Sequence, residues 1–99
     1  MLTLEFKGKF YSFRFSHFYN KETKIHATKC TMIREDGIVS ATASAICSPR
    51  DTYDKLTGRK VSLKKTLDLC KDIFINKEER KLVWKYFFWE NDEYLALEV

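Results

Sequence analysis

Proline, glycine, cysteine and histidine are all scarce in this 99-residue sequence, which contains one, three, three and two of them. Few prolines and glycines, with 44% hydrophobic residues, exclude a collagen-like or disordered chain. No apolar run approaches the roughly 20 residues of a membrane helix, and the start MLTLEFKGKF lacks the pattern of a signal peptide. We therefore expect one cytoplasmic domain, residues 1–99, with no membrane contact.

The cysteines and histidines do not match a metal-binding pattern. Cys30, Cys47 and Cys70 are odd in number and include no C-x-x-C pair, and His17 and His26 are not spaced like zinc-finger ligands. We expect three reduced thiols that serve as small apolar residues, no metal site and no cofactor.

Apolar and polar residues alternate along the first 47 residues, which is typical of strands with one buried face. Lys7-Gly8 and Asp36-Gly37 interrupt this alternation where hairpin turns are expected, and residues 20–22 form a polar loop. A two-residue turn at Asp36-Gly37 pairs Glu35 with Ile38 and brings residue 26 opposite residue 47. Residues 1–47 are therefore predicted to form two β-hairpins.

The return strand of the second hairpin has small side chains on both faces. One face carries Val39, Ala41, Ala43, Ala45 and Cys47, and the other carries Ile38, Ser40, Thr42, Ser44 and Ile46. Small side chains let a helix, another chain or a ligand approach closely, and a helix packed on the sheet is the favoured interpretation. The expected His26–Cys47 pair allows thiol chemistry, but a structural thiol is favoured and no catalytic residue is predicted.

Residues 48–90 have the periodicity of helices. Ser48-Pro49-Arg50-Asp51 has the form of a capping box, which predicts a short helix over residues 49–57, ended by Gly58 with a positive φ. A second helix is expected to bury Leu63, Leu67, Cys70 and Phe74. A third is expected to begin at an Asn76–Glu79 cap and to bury Leu82, Val83, Tyr86 and Phe87.

This order of elements predicts an α+β fold. An antiparallel sheet of four strands is followed by two or three helices that pack on one of its faces. A weak alternation over residues 94–99 is compatible with a fifth strand.

The segment from Cys47 to Lys65 is the most basic part of the chain. Its cations are Arg50, Lys55, Arg59, Lys60, Lys64 and Lys65, opposed only by Asp51 and Asp54. Gly58-Arg59-Lys60 falls at the predicted joint between two helices, where free amides and two cations favour a phosphate or carboxylate, and Tyr53 is placed to stack on a base. The alternative is a solvated basic helix face in which Arg59 pairs with an aspartate.

Aromatic residues crowd the first hairpin and the last helix. In the hairpin they alternate with Arg14, Lys7 and Lys9, as on a base-stacking sheet, although a buried core is the commoner use of phenylalanine. The run Tyr86 to Trp89 circles its helix, so one face cannot bury all of it. We expect Phe88 or Trp89 to contact another chain or the sheet edge, and we favour an interface in a homo-oligomer.

The motif C-x-P-x-D-x-Y at Cys47–Tyr53, followed by Gly58-Arg59-Lys60 and Leu63, resembles a pattern in small bacteriophage proteins. The residues Glu78-Glu79-Arg80 and Trp84 resemble the final helix of the same proteins. We associate this pattern with the Thoeris anti-defence proteins of the first type, which sequester a cyclic ADP-ribose-like signal without cleaving it and assemble from dimers. The resemblance implies that an aromatic ring and cations hold the ligand, and the candidates here are Tyr53, Arg59, Lys60, Lys64 and Arg80.

The leading hypothesis is a non-enzymatic phage counter-defence protein that sequesters an anionic cyclic nucleotide or ADP-ribose-like signal in the cytoplasm of an infected bacterium. An inhibitor that docks on a host defence protein through Phe88 and Trp89 is one alternative. Nucleic-acid binding through the basic stripe of residues 59–65 is another. An enzyme that depends on Cys47 or His26 is the most distant.

Overall fold

The computed structural model describes residues 2–47 and 52–90, except for the side chains of residues 89 and 90. Its elements are β1 (Leu2–Phe6), β2 (Lys9–Asn20), β3 (Ile25–Arg34), β4 (Val39–Cys47), α1 (Lys55–Leu69) and α2 (Lys77–Glu90). The four strands form one antiparallel sheet in the order β1-β2-β3-β4 and the helices pack on it, which confirms the α+β prediction. The proposed capping box at residues 48–51 and the proposed strand at 94–99 lie outside the described residues.

The first hairpin has the predicted two-residue turn. Lys7 and Gly8 have φ angles of 51° and 78°, and Phe6 pairs with Lys9 on either side of them. Positive φ at both central positions gives the turn the twist that flanking strands require, and a glycine adopts this conformation readily.

The turn of the second hairpin differs from the prediction by one residue. The Arg34 amide donates to the Ile38 carbonyl at 2.9 Å, so the loop holds three residues and Glu35 does not pair with Ile38. The Asp36 carboxylate accepts from the Ile38 amide at 3.0 Å and from the Arg34 guanidinium, which stabilises the longer turn.

A bulge in β4 restores the predicted register. Val39 pairs with Ile33 and Ala41 pairs with Met32, which makes Ser40 the additional residue. From there to the end of the hairpin the strands pair as predicted, and His26 lies opposite Cys47. Val39 is more than half exposed, whereas Ala41 and Ala45 are buried as expected beneath a helix.

The apolar core lies between one face of the sheet and the two helices. The sheet contributes Leu2, Leu4, Phe6, Tyr11, Phe13, Cys30, Met32 and Ala41, and the helical half contributes Leu63, Leu67, Cys70, Phe74, Val83 and Phe87. Burial raises the pKa of both the Cys30 and the Cys70 thiol to about 11, so these thiols stay protonated at neutral pH.

The predicted helix over residues 49–57 is wrong at residues 52–54 and in its end at Gly58. Residues 52–54 are not helical, and α1 begins at Lys55. The Asp54 carboxylate accepts from the Leu56 amide at 3.0 Å and from the Thr57 hydroxyl at 3.0 Å, so Asp54 is the N-cap. Gly58 therefore lies inside α1, and its amide donates to the Asp54 carbonyl at 3.0 Å.

The second predicted helix ends earlier than expected. Its buried stripe is correct, but α1 stops at Leu69. A turn, in which the amides of Ile73 and Phe74 both donate to the Cys70 carbonyl at 3.0 Å, carries Phe74 into the core.

The predicted start of α2 is confirmed, because the Glu79 amide donates to the Asn76 side chain at 2.9 Å. Its predicted stripe is wrong at Tyr86, which is 44% exposed, because Val83 and Phe87 already fill the space against the sheet. In the described part of the chain, neither helix has the length and apolar character needed to cross a membrane.

Candidate ligand site at the start of the first helix

Three polar side chains from distant parts of the chain meet at one end of the sheet. The His17 Nδ1 atom lies 2.7 Å from the Tyr53 hydroxyl and 3.0 Å from the Thr28 hydroxyl, and the two hydroxyls are 3.0 Å apart. We call His17, Thr28 and Tyr53 the His17 cluster. It fixes the Tyr53 ring, which enters from the segment before α1, against β2 and β3.

The cluster provides hydrogen-bond partners for only one ring nitrogen of His17, the Nδ1 atom. With the proton on Nε2, Nδ1 accepts from a hydroxyl; with the proton on Nδ1, it donates to one. In both neutral forms the buried Nε2 atom has no hydrogen-bond partner among the described residues. His17 is therefore a polar side chain whose hydrogen-bonding capacity is half used within the described fold.

A stack of rings continues from the cluster toward the sheet edge. The centre of the His26 ring lies 4.1 Å from that of the Tyr53 ring, at an interplanar angle of 7°, and the centre of the Tyr19 ring lies 4.4 Å from that of His26, tilted by 32°. Tyr19 is 51% exposed. His26 also pairs across the strands with Cys47, so it joins the stack to the end of β4.

Two cations of α1 act on the cluster. Burial lowers the pKa of His17, and the charges of Arg59 and Lys55 lower it further. These two cations are one helical turn apart on α1. The positive charge of both side chains therefore disfavours the imidazolium form of His17.

A groove of about 290 Å³ opens beside the Tyr53 ring. Its walls are the end of β4, the segment before α1 and the first turns of α1, with Ala45, Ile46, Cys47, Thr52, Tyr53, Asp54, Thr57, Gly58 and Val61 as lining residues. This volume is near the lower limit for small-molecule sites. The groove is therefore of a size for a compact ligand or for one part of a larger ligand.

The backbone of α1 does not supply the anion site that the sequence suggested. Gly58, Arg59 and Lys60 lie within α1 rather than at a joint, and Asp54 already caps the first turn. An anion in this region must therefore be held by side chains such as Lys55 and Arg59, because free amides are not presented at the predicted place.

The predicted cations of α1 do not form one stripe. Arg59 acts on His17, whereas the Lys60 ammonium lies 5.6 Å from the centre of the Phe88 ring on α2. Lys64 is exposed, and the Lys65 ammonium donates to the Ser44 carbonyl at 3.1 Å. The structure thus places Arg59 where its charge acts on His17 and directs Lys60 toward α2.

Arg80 lies at the other end of the sheet. Its guanidinium donates to the Phe74 carbonyl at 3.2 Å and to the Ile75 carbonyl at 3.4 Å, and the Phe74 ring packs against Tyr11 on β2. Tyr11 and His17 are separated by about 20 Å along β2 at the usual strand rise. Arg80 is therefore not brought together with Tyr53.

Of the two residues predicted to form an interface, one can be described. The partly buried Phe88 ring stacks on Trp84 at 5.8 Å and lies 5.7 Å from Phe87. The Trp89 side chain is outside the described part. An interface at these residues stays a prediction.

Sequence reasoning missed His17 and Thr28 as site residues. The signal was the loop after β2: a hairpin closed by Asn20 and Ile25 pairs His17 with Thr28 and Tyr19 with His26. No comparable local pattern indicates that Tyr53 covers both pairs, because that contact depends on the path between β4 and α1.

No cluster of three or more metal-ligating side chains occurs within residues 2–47 and 52–88. In comparisons with known proteins, no family model, curated protein or solved structure matches this chain.

Proposed function

We propose that this protein binds an anionic, nucleotide-like ligand at Tyr53, with the flat part of the ligand in the groove beside the ring and its anionic part toward Lys55 and Arg59, which lie outside the groove lining, and that it holds the ligand without chemical conversion. One observation carries the proposal: Lys55 and Arg59 direct positive charge at the same cluster that fixes the Tyr53 ring in the groove wall. A ring and two cations are the groups needed to hold a base and a phosphate.

The cations give the site its preference for anions. Each charge-assisted hydrogen bond to a phosphate contributes on the order of 1.5–3 kcal/mol. The Asp54 carboxylate also lines the groove, but its two oxygens accept from the Leu56 amide and the Thr57 hydroxyl. These bonds direct the carboxylate to the helix start.

The ring stack gives the site its preference for flat ligands. One face of the Tyr53 ring stacks on His26 and is not open to a ligand. A base therefore contacts Tyr53 through the part of the ring that lines the groove. The hydrogen bonds to His17 and Thr28 fix the ring before the ligand arrives, which lowers the entropy lost on binding.

The resemblance of the Cys47–Leu63 segment to phage counter-defence proteins supports the biological setting of the proposal. In that setting the protein sequesters a cyclic nucleotide or ADP-ribose-like signal in the cytoplasm of an infected bacterium, as a homo-oligomer and without turnover.

Native mass spectrometry with cyclic mononucleotides, cyclic dinucleotides and ADP-ribose tests the proposal. We expect a mass shift with at least one of them and recovery of the same ligand mass after denaturation. The same spectra give the oligomeric state. The proposal is contradicted if the protein binds none of these ligands, or if the ligand recovered after denaturation has a changed mass.

Lys55→Glu is the most informative variant, because it reverses a charge that the proposal requires and should leave the fold intact. A glutamate in the first turn of a helix interacts favourably with the helix dipole. We expect the affinity for the ligand to fall about tenfold or more. Lys85→Glu makes the same charge change on the exposed side of α2 and serves as the matched control. Equal losses in both variants would show that only net charge matters and would reject this site.

A further inference from the structure

The face of the sheet turned away from the helices is open along β2 and β3. Along β2 the side chains of Tyr11 and Phe13 are buried, whereas Arg14 and Phe18 are exposed. We define the open face by Ser12, Arg14, Ser16 and Phe18 of β2 and by Lys29 and Thr31 of β3, which alternate with the buried residues.

Two cations lie at the centre of the open face. Arg14 pairs with Thr31, and Ser16 pairs with Lys29, so Arg14 and Lys29 are diagonal neighbours on one side of the sheet. Neither cation forms an ion pair with another of the described residues. The acid placed on this side, Glu5, pairs with Phe10 near the first hairpin turn.

The surroundings of the two cations are hydroxyls and one exposed ring. Thr31 approaches Thr42 of β4, and Ser12 lies 3.1 Å from Thr3 of β1, oxygen to oxygen. The Phe18 ring is 54% exposed and lies about 13 Å along the strand from Arg14. Cations for phosphates, hydroxyls for sugar and base edges, and a ring for stacking are the features of a single-strand-binding sheet.

A second copy of this chain fits the open face less well. Packing two such faces about a twofold axis brings the Arg14 and Lys29 side chains of both copies toward one another, and like charges buried in an interface oppose association. A nucleic-acid strand supplies negative charge that complements Arg14 and Lys29. A single strand, unlike a duplex, exposes the base faces on which Phe18 can stack.

We propose that the open face binds single-stranded nucleic acid, with Arg14 and Lys29 on phosphates and Phe18 on a base. This site lies on the opposite side of the sheet from the His17 cluster, and it is independent of the nucleotide groove.

Fluorescence anisotropy of a short labelled oligouridylate tests the proposal. We expect saturable binding with Kd in the range of about 1–100 µM at physiological salt, and weaker binding of a duplex of equal length. With two phosphate contacts, a plot of the logarithm of the association constant against the logarithm of salt concentration should have a slope of about −1.4. Arg14→Gln removes one contact and should lower the magnitude of this slope by about 0.7.

Phe18→Ala and Phe10→Ala form a matched pair, because both residues are about half exposed on the same strand and face. Loss of the Phe18 ring should weaken binding about 5- to 150-fold. Phe10→Ala, beside Glu5, should leave the affinity unchanged. Circular dichroism of both variants should match the parent, because neither ring belongs to the core.

Three results would overturn the proposal: no saturable binding in this range, equal losses in the two phenylalanine variants, or preference for the duplex. Binding of polyglutamate without binding of the oligonucleotide would also overturn it and would indicate an acidic protein partner. Lys55→Glu should leave oligouridylate binding intact, so failure here and failure of the nucleotide groove are separate outcomes.

Discussion

Gly58 lies so close to Thr28 that a Cβ atom at position 58 would overlap the Thr28 hydroxyl and crowd its Cβ atom. Thr28 is fully buried in β3, and Gly58 lies in the second turn of α1. The absence of a side chain at residue 58 therefore sets how closely α1 approaches the sheet. It also sets the position of Tyr53, which shares the Thr28 hydroxyl with His17.

Gly58→Ala should lower the free energy of unfolding by about 1–3 kcal/mol, because the added methyl group overpacks the contact between helix and sheet. Urea denaturation measures this loss. In a Thr28→Ala background the same change should cost much less, since the hydroxyl that it meets is gone. Val61→Ala, at an exposed position of α1, should change stability by no more than about 0.5 kcal/mol. Additive losses in the Gly58–Thr28 double variant would contradict the contact.

Acidification should destabilise the protein through His17. Burial and the nearby cations lower the pKa of His17 from its ordinary value of 6.5, so below about that pH the unfolded chain binds more protons than the folded one. The free energy of unfolding should therefore fall as the pH decreases from about 7.5 to 5.5. His17→Gln should flatten this dependence in urea titrations, whereas His26→Gln should retain it. An unchanged slope in His17→Gln would assign the effect to other groups.

An anion held by Lys55 and Arg59 should reverse their effect on the pKa of His17. A phosphate beside Lys55 and Arg59 favours the imidazolium and raises its pKa, so binding should take up a proton and tighten as the pH falls toward 6. Calorimetry in two buffers of different ionisation enthalpy measures the uptake. Proton release on binding would place the anion away from His17.

Asp54→Asn separates capping from charge. Asparagine caps a helix about as well as aspartate, so stability should change little, whereas Asp54→Ala should lose about 1 kcal/mol. Because Asp54 lines the groove, removal of its charge should strengthen the binding of an anionic ligand. Thermal denaturation and calorimetry on both variants distinguish the two effects. Unchanged ligand affinity in Asp54→Asn would place the anion elsewhere.

Arg80→Ala should act on stability rather than on ligand binding. Hydrogen bonds from the guanidinium to the carbonyls of Phe74 and Ile75 stabilise the turn before α2. A hydrogen bond to a charged group contributes up to about 3 kcal/mol to the free energy of unfolding. We expect a lower urea midpoint with an unchanged ligand affinity. Loss of ligand binding in a folded Arg80→Ala variant would show that Arg80 contacts the ligand, as the sequence predicted.

The sequence pattern predicts the sheet well and the site only in part. Alternation and two turns were enough to place His26 opposite Cys47, because pairing in hairpins is local and the Ser40 bulge cancels the error at the turn. Gly58 misled the prediction because a glycine that ends a helix and one that permits close packing look the same in sequence. The contact with Thr28, far away along the chain, decides between them.

The strand order repeats the chain order, and this has a consequence for synthesis. Every strand can pair with its predecessor as soon as it leaves the ribosome, so the whole meander can form before the first helical residue is translated. Until α1 and α2 follow, the ring of Phe13 and the thioether of Met32 remain exposed to solvent. A pause in translation just after β4 would prolong that interval and should increase aggregation of the nascent chain.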